Sequence, residues 1–306
     1  MSVSGMNKFQ ANICLMCVTF CWSTEVIIFA CIPADVPSFA TTCITSLIGS
    51  VILFACFFRN IKEQLFSHGK RFLLKCLSLS SMNVTYNLLY LIGLKSFNVT
   101  TGAFTLSMTV VVLPVILLTS GKPVRKRTWI SAIMVLCGIF INLIGSTSAV
   151  STVGLTMITI GCIIRSIYIV KLNQYARESD PLAISAFISL FAGMISYILW
   201  FCVDRRTFAS IEWSKTIIAS MFIYAYFIVA FAQTLNIFAQ RRTTPSSATI
   251  IYSLEIIFSI IWGVVLPASI VNRVMISPRI IIGMLFVVTG NLFEFIDFGA
   301  KKDSVK

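Results

Sequence analysis

About ten times along its 306 residues the sequence runs for some 20 positions with almost no charge, as in "SATIIYSLEIIFSIIWGVVL" from Ser247. A helix of about 20 apolar residues crosses a hydrocarbon core of roughly 30 Å. In lipid the backbone has to satisfy its own hydrogen bonds, so such runs fold as helices. A chain that is 58% hydrophobic and 11% charged has no other solvent to choose. The pattern predicts an all-α integral membrane fold with ten transmembrane helices, near 10–32, 37–58, 73–94, 100–120, 128–147, 153–172, 182–203, 214–238, 246–267 and 279–298. The connections are short turns such as "SGKPVRKR" from Ser120 and "QRRTTPSS" from Gln240, and no soluble domain fits between the spans.

Basic residues are retained on the cytoplasmic side of a membrane, so their placement predicts orientation. With the N-terminus placed inside, only six of the 24 Lys and Arg fall on outer loops: Lys95, Arg205, Arg206, Lys215, Arg273 and Arg279. Lys75 and Arg165 lie within spans, and the other 16 are cytoplasmic. Both termini are therefore expected in the cytoplasm. The net charge of +13 is accounted for without a nucleic-acid partner, because the cations flank apolar spans rather than forming one face. The first apolar run is longer than a signal-peptide core and is read as a true span. The ten cysteines show no secreted spacing and read as small packing residues.

Two stretches hint at internal repetition. "YLIGLKSFNVTTGAF" from Tyr90 is similar in layout to "QTLNIFAQRRTTPSSA" from Gln233, and "RKRTWISAIMVLCGIFINLIG" from Arg125 to "SPRIIIGMLFVVTGNLFEFI" from Ser277. Ten spans divide into five and five, giving units 1–148 and 149–306. A repeat with an odd number of crossings places its second copy upside down, with a pseudo-two-fold axis in the membrane plane and a midplane site between the copies.

The residues "CWSTEVIIF" in the first span, "GKPVRKRTWISAIMVLCGIFINLIG" from Gly121 and "SLEIIFSIIWGVVL" from Ser253 resemble the EamA-type ten-helix permeases of the drug/metabolite transporter superfamily. Ser23 stands where that family has Gly and Ile256 where it has Pro, Lys122 and Pro267 lie near its usual Glu, and Glu25 and Arg165 are extra charges. The resemblance implies two inverted five-helix repeats that move small metabolites or drugs, often outward, across a cell membrane. Together with the short loops it implies a multi-pass protein of a prokaryotic cytoplasmic membrane, in contact with membrane lipid.

Polar side chains inside such spans are either interhelical glue, worth about 0.6 to 2 kcal/mol each, or the lining of a cavity. The third span carries Asn83, Asn87 and Tyr90 on one stripe, with Tyr86 beside them. A repeat shift of about 143 positions maps Asn83 onto Tyr226 and Tyr90 onto Gln233 in the eighth span. Trp22 in the first span, Arg165 in the sixth and Tyr252 in the ninth complete the predicted substrate-binding set. Several stripes at matched depth point to a cavity wall.

An ionised group at the centre of a span costs roughly 2.5–3.5 kcal/mol on insertion scales, so each needs a partner or water. At 1.5 Å per residue, Arg165 and Glu255 lie about 12 and 13 Å from the cytoplasmic ends of their helices and are an expected ion pair. Glu25 lies about 22 Å in, toward the outer side. A guanidinium grips carboxylate or phosphate, and a glutamate holds ammonium or exchanges a proton. The expected function is therefore secondary export of small metabolites, best matched by amino acids or related zwitterions, through alternating access around a midplane cavity, with a proton as candidate coupling ion. Aromatic walls also suit multidrug or organic-cation efflux. A channel is a further alternative, as is metal transport along the Cys14, Cys17, Cys21 ladder. No cofactor is expected. The single histidine, His68, lies outside the spans, and neither a phosphate-binding Gly-Lys loop nor a nucleophile elbow is present, which argues against an enzyme or an ATP-driven pump.

Overall fold

The computed structural model describes residues 6–33, 36–94, 108–144, 152–266 and 277–295, and all regular structure in them is helical. The Thr-Thr turn near residue 100, the expected repeat boundary near 148 and both chain ends lie outside the described residues.

Helix α1 (Lys8–Ser23) starts with a capping box, Asn7 and Gln10 each accepting the other's backbone N–H. After Thr24 the span continues as α2 (Glu25–Ala30). Next come α3 (Ser38–Phe66) and α4 (residues 70–94), joined through Gly69 at φ +44°, a conformation that favours glycine. Helix α5 (Thr109–Thr119) ends in a Schellman turn, with Lys122 N–H on Leu117 O and Gly121, at φ +72°, on Leu118 O, both 2.9 Å.

Helix α6 (Lys126–Ile144) completes the first half, and the second follows as α7 (Thr152–Glu178), α8 (Pro181–Val203), α9 (Lys215–Gln240), α10 (Pro245–Tyr252), α11 (Glu255–Val265) and α12 (Pro278–Phe295). Proline opens α8, α10 and α12, where its missing N–H costs nothing. Every expected span contains helix. Five stretches among the described residues are long and apolar enough to cross a membrane: Ser38–Phe66, Thr152–Glu178, Pro181–Val203, Lys215–Gln240 and Pro245–Val265.

Large apolar side chains such as Phe222, Phe227, Phe231 and Ile198 point outward, whereas many serines and threonines are buried. Lipid tails supply no hydrophobic drive between helices, so close packing and interhelical hydrogen bonds take over. Helices α3 and α4 pack on α8 through an aromatic cluster of Phe54, Phe72, Phe187 and Phe191, and α7 packs against the same pair. Ser80 of α4 donates to Ile188 O of α8 at 3.0 Å.

The α6/α12 contact carries symmetry. A Cβ added to Gly138 would sit 2.6 Å from Gly283 O, near Val287 and Phe286; one added to Gly290 would sit 3.0 Å from Ser131 O, near Val135 and Met134. Each residue in one set lies 152 positions from its counterpart in the other (131 to 283, 134 to 286, 135 to 287, 138 to 290). As the contact moves up one helix it moves down the other, so the pair is antiparallel and its local two-fold axis is perpendicular to both helices.

Candidate functional site

The interior polar site is built around two interrupted spans. In the first, Thr24 N–H bonds to Cys21 O at 3.1 Å and Ile27 N–H to Thr24 O at 3.0 Å. In the ninth, Leu254 N–H bonds to Ile251 O and Ile257 N–H to Leu254 O, both at 3.0 Å. These tight i to i+3 bonds break the α pattern at equivalent points. A serine precedes each break: Ser23 and Ser253 both donate to the carbonyl three residues back at 2.6 Å. Both also accept from a neighbour, Ser23 from Trp262 Nε1 at 2.9 Å and Ser253 from Asn291 Nδ2 at 2.6 Å. A glutamate follows each break, Glu25 opening α2 and Glu255 opening α11. Broken helices of this kind recur at transporter sites because they free backbone groups and aim side chains inward.

Arg165 on α7 sits between two rings, its guanidinium carbon 5.9 Å from the centroid of Tyr86 and 6.0 Å from that of Tyr252. The wall extends through Trp22, 5.2 Å from Tyr252, and Tyr168, 5.6 Å from Tyr86. Gln233 Nε2 donates to Tyr168 Oη at 2.8 Å. Asn83 Nδ2 donates to Tyr86 Oη at 3.0 Å, and Asn87 Nδ2 to Asn83 O and Oδ1 at 3.0 and 3.2 Å. Tyr224 Oη donates to Glu25 Oε1 at 3.1 Å. Tyr90 is half-buried and within electrostatic reach of Glu25, Glu255 and Arg165. These side chains come from α1, α2, α4, α7, α9, α10 and α11.

On the side of Gln240 and Thr243 a second polar network adjoins this interior. Tyr252 Oη donates to Asn236 Oδ1 and accepts from Gln240 Nε2 at 2.8 Å. Asn173 Nδ2 donates to Gln240 O at 2.6 Å and Thr243 O at 3.0 Å. Tyr252 thus faces Arg165 with its ring and this second network with its hydroxyl.

Two expectations need correction. Arg165 and Glu255 act on each other electrostatically but do not form an ion pair, and the ion pairs among the described residues are Arg59–Glu63 and Lys75–Glu178. The guanidinium is held by ring faces instead. Tyr226 does not reach the interior: it is 49% exposed and packs on its neighbour Phe227. Residues Ala225–Ala232 form a π-helix, whose i to i+5 bonds add about one residue per turn. Over two such turns the register slips by about two positions, and Tyr224 occupies the place an unbroken α-helix would give Tyr226. Tyr224 was missed for this reason. Tyr168 was legible as the next turn after Arg165 on α7 but carried no charge to draw notice. Of the cysteine ladder, Cys17 is on an exposed face while Cys14 and Cys21 are half-buried.

These features define a helical membrane protein of two related halves around a polar, aromatic interior. Residues 10–144 and 152–294 each match the EamA-like transporter family, and the chain belongs to that family, within the drug/metabolite transporter superfamily. It is a membrane transporter with a small-molecule substrate. A solved crystal structure of a protein 15% identical in sequence aligns with a TM-score of 0.70, covering 92% of this chain and 95% of the other, a likeness of fold. No curated protein matches the chain.

Proposed function

We propose that the chain is a secondary exporter of small zwitterions, amino acids or close relatives, working by alternating access between two inverted five-helix repeats. In this reading there are ten crossings, both termini are cytoplasmic, and the protein sits in a prokaryotic cytoplasmic membrane. The local two-fold of α6 and α12 supports the inversion, because an axis perpendicular to spanning helices lies in the membrane plane.

The observation that carries the substrate class is the state of Arg165. Its guanidinium rests on Tyr86 and Tyr252 and, among the described residues, has no carboxylate at ion-pair distance, while Glu25 and Glu255 share the same interior. A cation left available for a carboxylate and anions left available for an ammonium together complement a zwitterion. The rings supply apolar walls for its side chain. Glu25, held by Tyr224, is the candidate proton carrier, since a carboxylate that trades a proton for an ammonium couples the two.

The second reading, efflux of organic cations, is favoured by the aromatic panel of Trp22, Tyr86, Tyr168 and Tyr252 beside two glutamates. Thermal stabilisation of purified protein separates the two. Under the zwitterion reading amino acids stabilise wild type and fail on Arg165→Ala; stabilisation by quaternary ammonium compounds alone, unchanged in Arg165→Ala, favours the second.

A further inference from the structure

A cleft of about 370 Å³ opens beside the Asn173–Gln240 network, lined by Lys8 at the start of α1, Lys122 and Arg125 in the α5–α6 turn, and Arg177 at the end of α7, with Ser246 and Ser247 of α10. Its size is that of a small-ligand site. Among the described residues that line it there are four cations and no carboxylate. The nearest acid along α7, Glu178, is engaged by Lys75 at 2.5 Å. Arg177 is pinned by a hydrogen bond from Nη2 to Thr243 O at 2.9 Å, which fixes its guanidinium at the cleft wall. Retention of positive charge on the cytoplasmic side explains the sign of these residues. It does not explain why cations from both halves of the chain converge on one carboxylate-free hollow.

We infer that this cleft is an anion site, distinct from the Arg165 chamber, that takes a phosphate group from a soluble phosphorylated compound or an anionic lipid headgroup. Arginine and lysine together recognise phosphate by charge-assisted hydrogen bonds, and the hydroxyl of Ser246 adds a neutral donor. The site joins the first half, through Lys8, Lys122 and Arg125, to the second, through Arg177 and α10. A bound phosphate therefore bridges the two halves at their cytoplasmic ends, directly outside the network that holds Tyr252.

The test uses full-length purified protein and the Lys122→Gln/Arg125→Gln double variant, with Arg59→Gln/Lys62→Gln as a control of equal charge loss at a separate surface. Inorganic phosphate is titrated with thermal stability as readout, and phosphatidylglycerol retention is read by native mass spectrometry after extraction from mixed phosphatidylcholine and phosphatidylglycerol vesicles. Phosphate binding at least about tenfold weaker in the double variant than in wild type and control supports a soluble source. Loss of retained phosphatidylglycerol in the double variant alone supports a lipid source. The conservative Lys122→Arg/Arg125→Lys variant keeps either signal if charge at this cleft is the cause. Equal behaviour of wild type, double variant and control with both probes overturns the assignment.

Discussion

Tyr224 donates a hydrogen bond of 3.1 Å to Glu25, linking α9 to the start of α2 across 199 positions of sequence. Two residues further along α9, Tyr226 faces outward. The π-helix between Ala225 and Ala232 sets this difference, so a matched pair of substitutions reads out its register. Tyr224→Phe is expected to lower proton-coupled flux about five- to tenfold, the value of one buried polar hydrogen bond of about 1 kcal/mol or somewhat more. Tyr226→Phe leaves flux within error of wild type. Equal effects from both would place the two tyrosines in the same environment, against this geometry.

Arg165 tests the mode of recognition. Arg165→Lys keeps the charge but loses the planar fork and its stacking on Tyr86 and Tyr252. Affinity for a zwitterion is expected to fall roughly tenfold in Arg165→Lys and by more in Arg165→Ala, measured as ligand-dependent shifts in melting temperature.

The α6/α12 contact tests packing separately from transport. Gly138→Ala forces a methyl against Gly283 O at 2.6 Å, a backbone atom that cannot swing away. A loss of about 1–3 kcal/mol is expected, seen as a lower melting temperature. At Gly161 the nearest atom to an added Cβ is 3.4 Å away, an ordinary contact, and Gly161→Ala is expected to change stability by less than about 0.5 kcal/mol.

Asp180, in the turn between α7 and α8, gives a pH dependence outside the spans. Burial holds its carboxyl above the usual range, an effect partly offset by backbone N–H groups and Arg241. A raised acid favours the folded state when protonated, and this contribution is lost as the pH climbs through the folded-state value. Asp180→Asn is therefore expected to raise the melting temperature near neutrality relative to wild type. That gain shrinks as the pH falls into the carboxylate range. A gain independent of pH would assign the effect to something other than ionisation.

Much of this architecture was legible because lipid imposes a simple rule: apolar runs of spanning length become helices, and each of the ten runs contains helix among the described residues. Polar periodicity and the repeat shift also drew attention to Asn83, Asn87 and Gln233, which contacts through Tyr86 and Tyr168 tie together. Periodicity failed where the helix stopped being α. The π segment moved Tyr224 inward and Tyr226 outward, and no composition signal marks an i to i+5 turn. The breaks after Ser23 and Ser253 were equally hidden, since serine within a span reads first as a packing residue. The expected depth of Arg165 suggested a pair with Glu255, but depth alone did not reveal that aromatic faces hold it.

The central claim is best tested by counterflow of radiolabelled amino acids in proteoliposomes, comparing wild type with Arg165→Ala and Glu25→Gln, with and without a pH gradient. The account predicts saturable flux of at least one amino acid in wild type, driven by the gradient, lost in Arg165→Ala and insensitive to the gradient in Glu25→Gln. Folded wild-type protein that moves no amino acid but carries organic cations, with or without Arg165, would contradict it.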